Sequence, residues 1–212
     1  MNNHIYILSG LGADDRVFSR INFPENHTHL VWIENKPNES LQGYAARMAQ
    51  KIEHPNPIII GLSFGGIVAQ EIAAIISVKE VILISTIRSL YDSPWYFNLA
   101  GKLGMIHLIP NLILAKPNIF VAYAFSLTAG EDKTVLNSCF DTTTSAHIKW
   151  ALKHIAKWKG LESNTPTFQI HSRQDRIFTS RKSLANTYIN GGHFAVYTNA
   201  SEINEILSDR FN

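Results

Sequence analysis

Ser63 stands between two glycines, in the sequence Gly61-Leu62-Ser63-Phe64-Gly65. An apolar run precedes this motif and a helix-like run follows it, so the pattern predicts a strand, a sharp turn and a helix. Small flanking residues allow the backbone to turn tightly and to expose the serine hydroxyl above a sheet. Ser63 is therefore a candidate nucleophile. The alternative is a serine that only caps the helix in a glycine-rich turn.

An activated serine needs a base within hydrogen-bond reach, and nine histidines could supply it. His193 is favoured because it follows the last candidate strand, in a glycine-containing loop that can approach the same sheet edge as Ser63. The other eight histidines lie at strand ends, in polar connections, or in a segment without strand-like runs. If Ser63 were not a nucleophile, His193 would be interpreted as an ordinary surface residue.

A third group must fix the tautomer of the base, and Asp175 is the favoured carboxylate. It lies just after the fifth candidate strand, one strand before the candidate base. Asp92, which follows the fourth candidate strand, is a second candidate acid. A structural alternative for Asp175 is an ion pair with Arg173 or Arg176 in a solvated turn.

The oxyanion of a tetrahedral intermediate needs backbone N–H donors, one from the residue after the nucleophile and one from an early strand-to-helix loop. Phe64 supplies the first of these in this sequence. The loop Ser9-Gly10-Leu11-Gly12 follows the first candidate strand, and its glycines allow a close approach of the backbone. The N–H of Leu11 is therefore predicted as the second donor.

Two short patterns that could hold a cofactor or a metal ion are weak. Gly10 and Gly12 could begin a dinucleotide fingerprint, but Asp15 occupies the third glycine position. His27 and His29 form a pair of candidate ligands without a matching acidic or cysteine motif. We therefore expect neither a cofactor nor a metal ion, and a small molecule as substrate.

Short β-branched runs and helix-like segments alternate along the chain, as they do in βαβ units. The candidate strands are residues 5–8, 30–33, 58–60, 81–84, 167–170 and 187–189. The candidate helices are residues 41–52, 64–76 and 203–211. This pattern predicts an α/β fold with a mostly parallel sheet of about six strands and helices on both faces.

Residues 87–164 interrupt the alternation, because they contain helical patterns and bulky aromatic residues but no clear strand. The predicted organisation is a core formed by residues 1–86 and 165–212, with residues 87–164 inserted as a helical cap over the loop edge of the sheet. The alternative is that these aromatic residues form only the core of the insertion itself.

The composition is that of a folded globular protein, with 212 residues of which 45% are hydrophobic and 17% charged. A net charge of +2, without a basic stripe on any candidate helix, argues against nucleic-acid binding. Cys139 is the only cysteine, so no intrachain disulfide can form. No apolar run has the length of a signal peptide or a membrane span, and a cytoplasmic location is expected. The oligomeric state stays open.

With these motifs in this order, the chain resembles the α/β-hydrolase superfamily over nearly its full length. The residues that carry the resemblance are 9–12, 61–66, 171–175 and 192–194. It implies Ser63 as nucleophile, His193 as base and Asp175 as acid, with residues 87–164 as the cap. The sequence departs from the family where Ser9 replaces the histidine of a frequent His-Gly pair and where Ser172 replaces a glycine.

The resemblance implies a compact, carboxylesterase-like serine hydrolase that cleaves a small, apolar acyl ester or thioester through an acyl-enzyme intermediate. One alternative is a protein of the same fold that binds a small ligand with slow or no turnover. Others are a carbon–carbon bond hydrolase and an interaction module that uses an exposed aromatic cap.

Overall fold

Six parallel strands form one sheet in the computed structural model, which describes residues 3–89, 91–108, 134, 138, 143–161, 164–179 and 185–211. The strands are β1 (Ile5–Leu8), β2 (His27–His29), β3 (Ile58–Leu62), β4 (Glu80–Ile84), β5 (Thr167–Ser172) and β6 (Thr187–Ile189). Their order is β2-β1-β3-β4-β5-β6, and each neighbouring pair is parallel. The predicted α/β architecture is confirmed. Since all strands run the same way, their carboxyl ends share one edge.

Helices pack on both faces of the sheet. They are α1 (Leu41–Ala49), α2 (Phe64–Ala73), α3 (Trp95–Lys102), α4 (Ser145–Ile155), α5 (Ala195–Thr198) and α6 (Ala200–Phe211). Successive side chains of a strand point to opposite faces, so β1 contributes to two cores. Its Ile5 and Ile7 pack with residues of α5 and α6, whereas Tyr6 and Leu8 pack with residues of α1, α2 and α4.

The second strand lies three residues earlier than the predicted strand at residues 30–33. β2 is formed by polar residues, because an edge strand pairs on one side only and need not be apolar. The N–H of Leu30 still donates to the carbonyl of Ile7 at 2.9 Å, and the chain then leaves the sheet. Trp32 lies outside β2, and its indole N–H donates to the Ser9 hydroxyl at 3.0 Å. The prediction for this strand was therefore wrong.

The described residues between β4 and β5 form α3, a 3₁₀ turn (Met105–Leu108) and α4. α4 contributes Ala151 and Ile155 to the core that contains α1 and α2. Cys139 and many aromatic residues of the predicted cap lie outside the described residues. The division into core and cap stays a prediction.

Candidate active site

Ser63 lies at the turn between β3 and α2, with φ of 52° and ψ of −120°. A residue with a side chain rarely adopts this conformation, which costs about 1–3 kcal/mol. Its N–H donates to the carbonyl of Ile84 at 2.9 Å, and its carbonyl accepts from the N–H of Gly66 at 3.0 Å and from the Thr86 hydroxyl at 2.6 Å. The Ser63 side chain makes no capping hydrogen bond to α2. The Ser63 hydroxyl therefore remains available for a contact outside α2.

That contact is His193. The Ser63 hydroxyl lies 2.8 Å from His193 Nε2, and His193 Nδ1 lies 2.8 Å from Asp175 Oδ2. A carboxylate accepts hydrogen bonds, so Nδ1 carries the proton and Nε2 is left to accept from the serine. His193 and Asp175 are 3% and 4% exposed, so this chain of hydrogen bonds is shielded from water up to the serine. The three predicted side chains are brought together.

The loop after β5 binds the other oxygen of the Asp175 carboxylate. Oδ1 accepts from the N–H groups of Ile177 at 2.8 Å and Phe178 at 2.9 Å. The second candidate acid has a different place, because Asp92 Oδ2 accepts from the N–H of Arg88 at 2.9 Å, within its own turn. Of the two carboxylates, the one that contacts the histidine is Asp175.

The loop of residues 9–12 lies against the turn at Ser63. A Cβ atom added to Gly10 would lie 3.4 Å from Cβ of Ser63, and one added to Gly65 would lie 2.6 Å from the carbonyl oxygen of Leu8. Gly12 has φ of 76°, which favours glycine. The segments that carry the N–H groups of Leu11 and Phe64 are therefore neighbours around Ser63. Both predicted oxyanion donors belong to these two segments.

Aromatic rings lie on two sides of this arrangement. The Phe178 ring meets the His193 ring edge-on at 5.6 Å, and Phe97 of α3 lies 5.8 Å from Phe178. On the other side, Phe64 lies 5.7 Å from Trp32 and 6.1 Å from Trp150 of α4. Apolar rings thus pack against His193 and around Phe64, the residue that follows Ser63, and α3 and α4 contribute to them.

Two contacts of the site were not predicted from the sequence. The Thr86 hydroxyl supports the carbonyl of Ser63, and the Tyr96 hydroxyl of α3 donates to the carbonyls of Arg176 at 3.2 Å and Ile177 at 3.0 Å. Thr86 follows β4 by two residues, which is a positional signal that could have been used. Nothing in the local pattern around Tyr96 points to its partner.

Within the described part of the chain, no group of three or more histidine, cysteine, aspartate or glutamate residues is placed to hold a metal ion. No helix among those same residues combines the length and the apolar character needed to cross a membrane. His27 and His29, the pair weighed as metal ligands, are half-buried beside the ring of Phe23, 5.4 Å and 5.8 Å from it.

No protein-family model matches this chain, and no curated protein matches its sequence. Solved structures do match it over almost its whole length. A lipase-esterase related protein from Clostridium acetobutylicum aligns with a TM-score of 0.72 at 15% identity, covering 98% of this chain and 93% of that one. An esterase from Exiguobacterium antarcticum aligns with a TM-score of 0.68 at 12% identity, covering 100% and 93%.

An N-acyl homoserine lactonase, solved as a mutant in complex with N-hexanoyl homoserine, aligns with a TM-score of 0.63 at 14% identity, covering 98% of this chain and 88% of its own. Identities this low establish a common fold and leave the individual reactions to each protein. The six-stranded parallel sheet, with its helices on both faces, has the same architecture as these neighbours. The chain has the α/β-hydrolase fold.

Proposed function

We propose that this protein is a serine hydrolase that cleaves a small, largely apolar acyl ester or thioester through Ser63, His193 and Asp175. The observation that carries the proposal is the unbroken hydrogen-bond chain from the Ser63 hydroxyl through His193 to Asp175, with both links at 2.8 Å. A nucleophile, a base and a group that orients the base, in that sequence of contacts, are what acyl transfer requires.

In the first half-reaction, Ser63 Oγ attacks the acyl carbonyl carbon while its proton moves to His193 Nε2. The negative oxygen of the tetrahedral intermediate is stabilised by the N–H groups of Leu11 and Phe64. His193 then gives its proton to the departing alkoxide or thiolate, and the acyl group stays on Ser63. Water attacks this acyl-enzyme in the second half-reaction and loses its proton to the same nitrogen. The bond between the acyl carbon and Ser63 Oγ then breaks, His193 returns the proton to Oγ, and the acid product leaves.

The conformation of Ser63 supports this role. A helix-capping serine does not require a strained turn, yet the backbone N–H and carbonyl of Ser63 are held in one by three hydrogen bonds, and Ser63 does not cap α2. This backbone conformation directs the hydroxyl towards His193 before any substrate binds. Geometry prepared in this way lowers the entropic cost of reaching the transition state.

The apolar side chains around the site support an apolar acyl group. The partly exposed rings of Trp32 and Trp150 pack against Phe64, the residue after Ser63, and the partly exposed ring of Phe97 packs against Phe178, which meets the His193 ring. Rings of this kind bury a hydrocarbon chain favourably, at roughly 25 cal/mol per Å². Residues 87–164 act in this proposal as the cap that sets the substrate preference.

A fluorophosphonate probe tests the proposal without knowledge of the substrate, because it reacts with activated serines. The wild-type protein should be labelled, and Ser63→Ala should abolish the label. Ser19→Ala is the matched control, since Ser19 is exposed, and it should label like wild type. Absence of labelling of folded wild-type protein would overturn the proposal in favour of a ligand-binding role. A panel of esters and thioesters of rising acyl length would then define the substrate.

A further inference from the structure

The two N–H groups that hold Asp175 belong to two consecutive peptide units. The unit between residues 176 and 177 carries the carbonyl of Arg176 and the N–H of Ile177. The next unit carries the carbonyl of Ile177 and the N–H of Phe178. Both N–H groups donate to Asp175 Oδ1, at 2.8 and 2.9 Å. Both carbonyls therefore lie on the side of the loop that faces away from the carboxylate.

The hydroxyl of Tyr96 lies at those same two carbonyls, 3.2 Å from the oxygen of Arg176 and 3.0 Å from that of Ile177. Carbonyl oxygens only accept, so the tyrosine donates its single proton to the pair. Burial raises the pKa of Tyr96, and the negative charge of Asp175 raises it further. The hydroxyl therefore stays protonated, as a donor must, throughout the neutral range.

A peptide unit transmits polarisation from one end to the other. When its carbonyl accepts a hydrogen bond, its N–H becomes a stronger donor, so hydrogen bonds in a chain reinforce one another. The chain here runs from Tyr96 through two peptide units to Asp175, and from there to His193 and Ser63. A hydroxyl on α3 is thus connected to the serine by hydrogen bonds alone.

We propose that Tyr96 is a positioning residue for the acid of the triad, which it orients by holding the two peptide units that bind the Asp175 carboxylate. This inference rests on the proposed function. It gives α3, which belongs to the inserted segment, a direct part in aligning the catalytic groups. Seating of α3 on the loop after β5 and alignment of the triad are then coupled events.

Removal of the hydroxyl by Tyr96→Phe tests this coupling, because the ring and its contact with Phe97 are kept. The second-order rate constant of fluorophosphonate labelling should fall by about two- to tenfold, as expected for one neutral hydrogen bond. Tyr91→Phe is the matched control: Tyr91 is 85% exposed, five residues away, and its loss of a hydroxyl should leave the rate unchanged.

A double-mutant cycle separates positioning of Asp175 from any general effect on folding. In an Asp175→Asn background, labelled over hours to compensate for the slow reaction, Tyr96→Phe should cause no further loss. The proton on His193 Nδ1 gives a second readout, since its downfield NMR resonance should move upfield in Tyr96→Phe and stay in place in Tyr91→Phe.

Equal losses in the wild-type and Asp175→Asn backgrounds, or an unchanged labelling rate and proton resonance in Tyr96→Phe, would overturn the inference while leaving the serine hydrolase proposal intact. The proposed function fails separately, if folded wild-type protein does not react with the probe at all. The thermal unfolding midpoint of Tyr96→Phe checks that the variant is folded when these rates are compared.

Discussion

Two buried carboxylates, Asp92 and Asp175, follow neighbouring strands of the sheet, and only one of them contacts an imidazole. From sequence position alone either could orient the base, because both come after the carboxyl end of a strand. The structure separates them by hydrogen bonding: Asp175 binds His193, and Asp92 binds the N–H of Arg88.

Asp175→Asn should lower kcat by about 10⁴-fold on any ester that the wild type cleaves, because an amide in place of the carboxylate favours the wrong tautomer of the base. Asp92→Asn should retain near wild-type turnover, since an amide oxygen can still accept from the N–H of Arg88. Steady-state kinetics on both purified variants gives the comparison. A larger loss for Asp92→Asn than for Asp175→Asn would reverse the assignment of the acid.

Single residues of the site could be predicted to the extent that their position along the chain determines their position in space. Ser63, Asp175 and His193 each come soon after a strand, and the carboxyl ends of parallel strands share an edge, so their meeting follows from the strand order. Tyr96 lies on a helix with no strand before it, and its reach depends on how α3 packs. The local sequence around Tyr96 does not indicate how α3 packs.

At the scale of elements, the contact between α2 and the carboxyl end of β1 depends on a glycine. Alanine is the better helix former by about 1 kcal/mol, so Gly65→Ala should stabilise α2 if the helix stood alone. Here its Cβ would lie 2.6 Å from the carbonyl oxygen of Leu8 and would also overlap that of Ser9. Backbone atoms cannot rotate away as side chains do, so the two elements must move apart.

We therefore expect Gly65→Ala to lower the free energy of unfolding by about 1–3 kcal/mol and to slow fluorophosphonate labelling. Gly104→Ala is the control, because that position has φ of 65° and nothing within 4 Å of an added Cβ. It should cost about 1 kcal/mol for the left-handed backbone and leave labelling unchanged. Urea denaturation and labelling rates measure both effects. Wild-type stability in Gly65→Ala would show that this contact is not tight.

Elements whose burial matches their position in the sheet were the easiest to predict. β1, β3 and β4 have neighbouring strands on both sides and cores on both faces, so they are apolar, and their apolar runs are easily recognised in the sequence. β2 has one neighbour, so three polar residues suffice. In the apolar run after it Leu30 is buried and the Trp32 indole binds Ser9, whereas Val31 is 76% exposed. An edge strand is therefore hard to locate from hydrophobicity alone.

Over the whole molecule, burial changes how several ionisable groups respond to pH. Among the residues that the structure describes, the pKa values of four histidines are lowered from 6.5, with burial as the largest cause in each case; they are His4, His29, His147 and His154. The stability they contribute is present above pH 6.5 and is lost as the pH falls through their lowered values. Burial raises the pKa of Glu71 from 4.5, which acts in the opposite sense. The stability that Glu71 contributes is present below pH 4.5 and is lost as the pH rises through its raised pKa.

The free energy of unfolding should therefore decrease as the pH falls below about 6.5, because the unfolded chain then binds protons that these histidines resist in the folded state, and Glu71 should oppose this decrease. Glu71→Gln should make this decrease steeper, since it removes the opposing contribution while its amide oxygen can still accept from the indole N–H of Trp158. Urea denaturation of both proteins at several pH values gives the slopes. An identical or shallower slope in Glu71→Gln would contradict the raised pKa of this carboxyl group.

The position of β1 in the sheet has a consequence for the order in which the site is completed during translation. β1 and β3 are central and are synthesised early, so the turn at Ser63 has its strand partners before β5 and β6 exist. Asp175 and His193 leave the ribosome more than a hundred residues after Ser63. In the proposed mechanism, a nascent chain thus carries Ser63 without its base for most of its synthesis, and reactivity towards acyl groups begins only when the last strands join the sheet.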